Sequence, residues 1–246
     1  MRRLNPRIVL SAQTLALLAT ETQTVTQSND PKAFADARWK NVRQVVWFSN
    51  GVIARLKQMS GAGEPCMWCD CNTSTDVEHY RPKAVFPEFT FTWENYLWAC
   101  TECNRFKGNR FPPDTEQGAR ILNPLDDNVW EHFYVDQFGN LNPVWDNNLN
   151  QLDARAVMTN EVVRIDRETL QTRRQIRLRE ILQLITDSLH RFDAGELTLA
   201  QLGDRVDALL EAPFQPDVAE YFLKGPGRGV APFDRVSALL EPHAVD

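Results

Sequence analysis

The chain has 246 residues, 43% hydrophobic and 24% charged, with seven tryptophans and thirteen phenylalanines; this is enough to build one or two packed domains and excludes a disordered or collagen-like polymer. A formal charge of −6 argues against a surface that is basic throughout, although nucleic-acid binding depends on a local patch and not on the sum. No apolar run is long enough to span a membrane, and an odd count of five cysteines in Cys-x-x-Cys spacing suits metal binding in a reducing, cytoplasmic setting better than a disulfide framework.

In chain order, Ile8 to Ala19 reads as an amphipathic packing segment, because Ser11, Gln13 and Thr14 interrupt its apolar run. Residues 32–59 read as one helix. Asp30-Pro31 starts it, Ser60-Gly61-Ala62-Gly63 stops it, and Trp39, Val42, Val46, Ser49, Ile53 and Leu56 share a face. Thr75–His79 and Tyr96–Ala99 read as strands separated by a loop marked by Pro82 and Pro87, and a helix beginning near Thr101 carries Asn104 and Lys107. Residues 112–150 read as an extended, docked segment. Residues 160–193 read as a long helix and Thr198–Glu211 as a second. Two short helices flank Gly225–Gly229. The arginines between Arg164 and Arg179 read as a solvated face or a partner surface. This gives three regions: an N-terminal helical region (1–62), a cysteine-rich core (63–125), and a docking segment with a C-terminal helical region (126–246).

The pairs Cys66/Cys69 and Cys100/Cys103 carry the strongest signal. A two-residue gap lets both sulfurs of a knuckle face one ion, so two knuckles make a four-thiolate cage for Zn²⁺, with an iron–sulfur cluster as the lesser alternative. Cys71 reads as a bystander. The cage brackets Glu78-His79, and Asn104 follows its last ligand. A neutral imidazole takes a proton from water near neutral pH, and a carboxylate with an amide carbonyl suits Mg²⁺, which needs few protein oxygens. In a regular strand adjacent side chains point to opposite faces, so Glu78 and His79 converge only if the strand end twists or bulges.

On these residues the central block resembles the HNH endonucleases, also called ββα-metal or His-Me finger nucleases. His79 matches the first signature position, Asn95 the middle one and Asn104 the last. The resemblance implies an α+β fold: a zinc-stabilised ββα-metal HNH core flanked by mainly α-helical N- and C-terminal regions. It implies His79 as general base, Glu78 and Asn104 as ligands of one catalytic Mg²⁺ or Mn²⁺, and Asn95 as the brace of the catalytic loop. Glutamate at 78, where aspartate or histidine is also common, is a departure. Glu78-His79-Tyr80-Arg81-Pro82-Lys83, with Ile121-Leu122-Asn123-Pro124 and Glu131-His132-Phe133, is similar to PtuB-type HNH proteins, effectors of Septu and retron anti-phage systems that act beside an ATPase, PtuA. This implies an ATPase partner for the present chain. Lys83, Arg81, Lys107 and Arg110 are expected to meet substrate phosphates, with DNA favoured over RNA. An RNA- or tRNA-cleaving enzyme, or a non-catalytic zinc-ribbon adaptor, are the competing expectations.

Overall fold

The fold is known from a computed structural model, which describes residues 1–2, 4, 7–71, 74–112 and 121–241. The Ser11 hydroxyl accepts from the Thr14 N–H and starts α1 (Ala12–Thr26); Asp30 does the same for Ala33, with proline in the first turn, and starts α2 (Pro31–Val42). The single helix expected over 32–59 is interrupted. The chain leaves the helix at Arg43–Val45, where Val45 is extended, and resumes as α3 (Val46–Phe48), a π-turn over Ser49–Ile53 and α4 (Ala54–Ser60). The aromatic residues supply the reason. Nine residues of continuous helix would set Trp39 and Phe48 about 180° apart. The break instead brings their rings edge-on at 5.4 Å, against the same Tyr96. Val46, expected on the buried face, is exposed. At Gly51 in the π-turn a Cβ would lie 2.7 Å from Thr14 Oγ1, so glycine lets α1 cross there.

The strands fall where expected. β1 (Ser74–His79) pairs antiparallel with β2 (Tyr96–Cys100), and α5 (Thr101–Lys107) follows at once. The register sets Glu78 opposite Leu97 and His79 opposite Tyr96, with an irregularity between Ser74 and Asp76. Of the expected docked segment, residues 113–120 lie outside the described residues. The remainder carries two small hairpins, β3 (Phe133–Val135) with β4 (Leu141–Pro143) and β5 (Trp145–Asp146) with β6 (Gln151–Leu152).

The long C-terminal helix is two helices, α6 (Ala154–Val163) and α7 (Glu168–Asp193), because Arg164 adopts a left-handed conformation that ends α6. The next helix, α8 (Leu199–Glu211), opens with a capping box of Thr198 and Gln201. Two short helices follow, α9 (Pro216–Leu223) and α10 (Phe233–Leu240), with a 3₁₀ turn over Pro226–Gly229 between them. The arginines of α7 are not a uniform outer face. Arg174 is buried with Nε 2.8 Å from Asp217, and Arg177 donates to the Leu209 carbonyl at 2.7 Å. Guanidiniums enter this interior because each finds a fixed acceptor.

One continuous core draws on all three stretches of the chain: Phe48 and Leu56, Trp68 and Leu97, Ile121, Phe133, Ile181 and Phe222 all contribute. A buried polar knot lies beside it. The ammonium of Met1 sits 3.1 Å from Asp70 and 3.0 Å from Asp217. Burial alone would raise the Asp217 carboxyl; the Met1 ammonium and the Arg174 guanidinium outweigh it and hold the group at about 2. The fold is thus mixed helix and strand, with small sheets. Among the described residues no helix is long and apolar enough to cross a membrane.

Candidate metal centre and active site

Two turns bring the cysteines together. In the first, the Cys66 N–H donates to the Cys71 carbonyl at 2.7 Å and the Asp70 N–H to the Cys66 carbonyl at 2.8 Å, with Asp70 itself left-handed. Met67 fastens this turn to β2 by donating to the Trp98 carbonyl at 2.8 Å. In the second, Cys100 ends β2 and caps α5, its sulfur accepting from the Cys103 N–H. The sulfurs of Cys66, Cys69, Cys100 and Cys103 all lie within 4.8 Å of one another and are buried. Cys69 and Cys100 are 3.8 Å apart, too long for a disulfide and equal to the edge of a sulfur tetrahedron at a Zn–S distance of about 2.3 Å. The donor set therefore fits a tetrahedral zinc ion. The crowding makes the thiols unlike one another. Burial pushes Cys66 well up, while a hydrogen bond from Cys100 leads the effects that hold Cys69 well down. A divalent cation would bind all four as thiolates.

Two arginines surround the cage that its spacing did not announce. Both terminal nitrogens of Arg167 approach Cys103 Sγ at 3.7 Å while the same side chain holds Glu102 at 2.8 Å. Arg173 Nη1 lies 2.8 Å from the sulfur of Cys71. The arginine-rich start of α7 was the available signal, and a cage carrying excess thiolate charge is a natural acceptor for it.

The cage fixes the hairpin, and the hairpin presents Glu78-His79. Along this stretch β1 is regular; its irregularity is at the other end, beside Ser74. The two side chains consequently take opposite faces. Glu78 points to α5, where Oε1 accepts from Lys107 Nζ at 2.7 Å, and the same ammonium donates to the His79 carbonyl at 2.8 Å. Burial pushes the Glu78 carboxyl up and the Lys107 ammonium down, each against the pull of the other. The imidazole of His79 points to α2. It packs edge-on against Trp39 at 4.3 Å and leaves the residue 6% exposed.

Among the described residues the His79 ring has one polar anchor. Nε2 lies 3.0 Å from the Thr90 carbonyl, which can only accept, so Nε2 carries the proton and Nδ1 keeps its lone pair. Burial, with smaller effects from nearby cations including Lys83, lowers the imidazole to about 3 and keeps it neutral across the physiological range.

Asn95 holds the loop that supplies Thr90. Its Oδ1 accepts from the Arg81 N–H at 2.7 Å, and its Nδ2 donates to the carbonyls of Arg81 and Phe89 at 3.0 Å each. Its own carbonyl accepts from the Tyr80 N–H at 2.8 Å. Asn104 is half-buried in the first turn of α5, three residues before Lys107, a spacing that sets both on one side of the helix.

The four cations expected on substrate are otherwise engaged in this arrangement. Lys107 is fully buried on Glu78. Lys83 is ion-paired with Asp36 of α2. Arg81 lies over the Phe89 ring at 4.6 Å. Arg110 donates to the carbonyls of Glu161 at 3.1 Å and Val162 at 2.6 Å, closing the last turn of α6. His132, read as structural, donates or accepts at 2.9 Å with Asp153, the residue that caps α6. Trp39, Thr90 and Tyr96 touch His79 and were not singled out for the site by spacing.

No model of a known protein family matches the chain. The chain is similar to the Septu protein PtuB of Bacillus thuringiensis. The two are 30% identical over 92 residues, 35% of this chain and 34% of PtuB. The chain thus spans about a third of the PtuB length, a distant kinship with one segment of PtuB and not with the whole of it.

Proposed function

We propose that the chain is a metal-dependent HNH endonuclease that hydrolyses phosphodiester bonds, DNA before RNA, as the effector of a Septu-like anti-phage system with a PtuA-like ATPase partner. The likeness to PtuB supports the defence setting. The observation that carries the chemistry is the orientation of His79. The Thr90 carbonyl, which also accepts from the Tyr96 hydroxyl and follows the Phe89 carbonyl that Asn95 ties down, fixes the imidazole tautomer so that Nδ1 is the basic atom, which is the arrangement of a base and its orienting group.

The second metal of this reading is a hard divalent ion, Mg²⁺ or Mn²⁺, held by Glu78 and Asn104. Glu78 Oε1 and the His79 carbonyl both accept from the Lys107 ammonium, so an ion at this corner would take the place of that ammonium on Glu78. When bound, such an ion offsets the charge that develops on the phosphoryl oxygens and the departing 3′ oxygen. The chain's own contribution is the proton path: His79 Nδ1 takes a proton from the attacking water, Nε2 keeps its proton on Thr90, and Asn95 prevents the loop from yielding. A 5′-phosphate product follows from attack on phosphorus with loss of the 3′ oxygen.

The test is plasmid nicking with Mg²⁺ or Mn²⁺ and an EDTA control, with labelled DNA and total RNA presented side by side, with and without the ATPase. His79→Ala is expected to abolish cleavage while zinc content stays at the wild-type value. Undiminished cleavage by that variant rules the assignment out.

A further inference from the structure

We propose that α2 is a lid on His79, latched by an acid that occupies the place of a substrate phosphate: Asp36 holds Lys83 until nucleic acid competes for it. The inference rests on the nuclease reading for its meaning and on the packing for its evidence.

The ring of His79 is enclosed. Thr90 takes Nε2, Tyr96 stands at 5.4 Å from within the hairpin, and Trp39 closes the remaining side at 4.3 Å. Thr90 and Tyr96 belong to the hairpin and its loop. Trp39 belongs to α2, so α2 is the element that separates the imidazole from solvent. As packed, His79 keeps 6% of its surface, too little for a phosphodiester to reach Nδ1, and the imidazole faces away from the Glu78 carboxylate. A catalytic arrangement requires the Trp39 side to open.

The attachments of α2 to the hairpin are suited to release. Besides the aromatic packing there are, among the described residues, two ion pairs: Asp36 with Lys83 in the loop, and Arg43, the residue that ends α2, with Asp76 on β1 at 3.5 Å, both partly exposed to water. Such pairs are weak and screened by salt. The helix is bounded by non-helical turns, Ser28–Asp30 before it and the extended Val45 after it, where backbone rotation costs no helical hydrogen bonds. α2 is also tied to α1, where Arg38 donates to Glu21 through two nitrogens.

The identity of the latch is what couples lid to substrate. Lys83 lies four residues beyond His79, where a cation would meet the backbone of a bound strand, and its partner is a carboxylate from the lid. A phosphate that takes Lys83 removes the latch in the same event. The closed state thereby withholds the base until a polyanion is present.

The experiment uses the full zinc-loaded chain and measures acylation of each histidine by diethylpyrocarbonate with mass spectrometry, beside plasmid cleavage. His190, exposed on α7, is the internal reference. In the wild type His79 is expected to react at least about tenfold more slowly than His190. Asp36→Lys, at a half-buried position, should remove that protection and speed cleavage. Joining it to Lys83→Asp re-forms the pair with reversed sign and should restore protection. Arg43→Ala, the second latch, should give an intermediate exposure, and zinc content and circular dichroism verify each fold. In a His79→Ala background, where nothing is cut, Asp36→Ala should tighten binding of a short duplex severalfold by freeing Lys83. Equal reactivity of His79 and His190 in the wild type overturns the lid, as does continued protection in both Asp36→Lys and Arg43→Ala. Exposure of His79 without cleavage of DNA or RNA upholds the lid and defeats the nuclease reading instead.

Discussion

Replacing Lys107 by methionine removes one ammonium and little volume, since the aliphatic stem is kept. The lost atom makes two hydrogen bonds, at 2.7 Å to Glu78 and 2.8 Å to the His79 carbonyl, and its residue has no exposed surface. Charge-assisted bonds contribute about 1.5–3 kcal/mol each, and breaking a buried pair by taking one partner costs about 3–5 kcal/mol. The same change at a solvent-exposed pair would cost under about 1 kcal/mol, so the structure commits to the larger figure. Lys107→Met together with Glu78→Gln should recover about 2–3 kcal/mol of the loss, because the unpaired charge disappears with its partner. The effect has a pH signature. Burial already raises the Glu78 carboxyl, and without Lys107 it rises further. A group whose folded pKa exceeds its unfolded value, about 4.3 for glutamate, is stabilising while protonated and loses that contribution as pH climbs through the folded value. Lys107→Met should therefore be penalised less at pH 5 than at pH 8. Saturating Mn²⁺ should restore part of the loss if Glu78 is a ligand, on the scale of about 2.7 kcal/mol at a hundredfold excess over Kd. Urea denaturation of the zinc-loaded proteins measures all of this. A penalty under about 1 kcal/mol at pH 8, or one independent of pH, would refute the reasoning.

Elemental analysis should find one zinc per chain, and Cys103→Ser should lose both the metal and cooperative unfolding, since thiolate–zinc binding of about 10–16 kcal/mol exceeds the stability of most domains. Asn95→Ala removes three side-chain hydrogen bonds from the loop that positions His79. Cleavage should fall by about a hundredfold with zinc content unchanged, as expected when an orienting group is lost. Asp217→Asn leaves Arg174 without its buried counter-charge and the Met1 ammonium with Asp70 alone, and should cost about 3–5 kcal/mol, roughly 10 °C in Tm. Because the Asp217 carboxyl is held below its unfolded value, that deficit should shrink as pH falls from 5 toward 2.

Local signals carried the hairpin and the cage. Cysteine spacing is a statement about a few bonds, and the strands bearing His79 and Tyr96 follow from short-range alternation and turn residues. Helix ends were legible where a cap marks them, as at Asp30 and Thr198. The breaks inside the two long helices were not. An apolar rhythm runs through Arg43–Val45 and through Arg164 without a glycine or proline, and what interrupts it is tertiary: Phe48 must return to Tyr96, and Arg167 must reach Cys103. The buried arginines were misread for a related reason, since one-dimensional sequence shows a charge and not the Asp217 that meets it forty-three residues later. Within the site, the adjacency of Glu78 and His79 was plain, but their opposite orientation depends on where the strand irregularity falls, and pairing with β2 decides that.

Arg167 and Arg173 reach from the start of α7 to sulfur atoms of the cysteine cluster, and Asp70, inside the first knuckle, holds the Met1 ammonium that also meets Asp217 of α9. An ion in this cage would therefore do more than hold a hairpin: Arg167, at the start of α7, contacts the candidate ligand Cys103 directly. Chelation should therefore loosen the seat of α7 on the cysteine turns along with the hairpin itself.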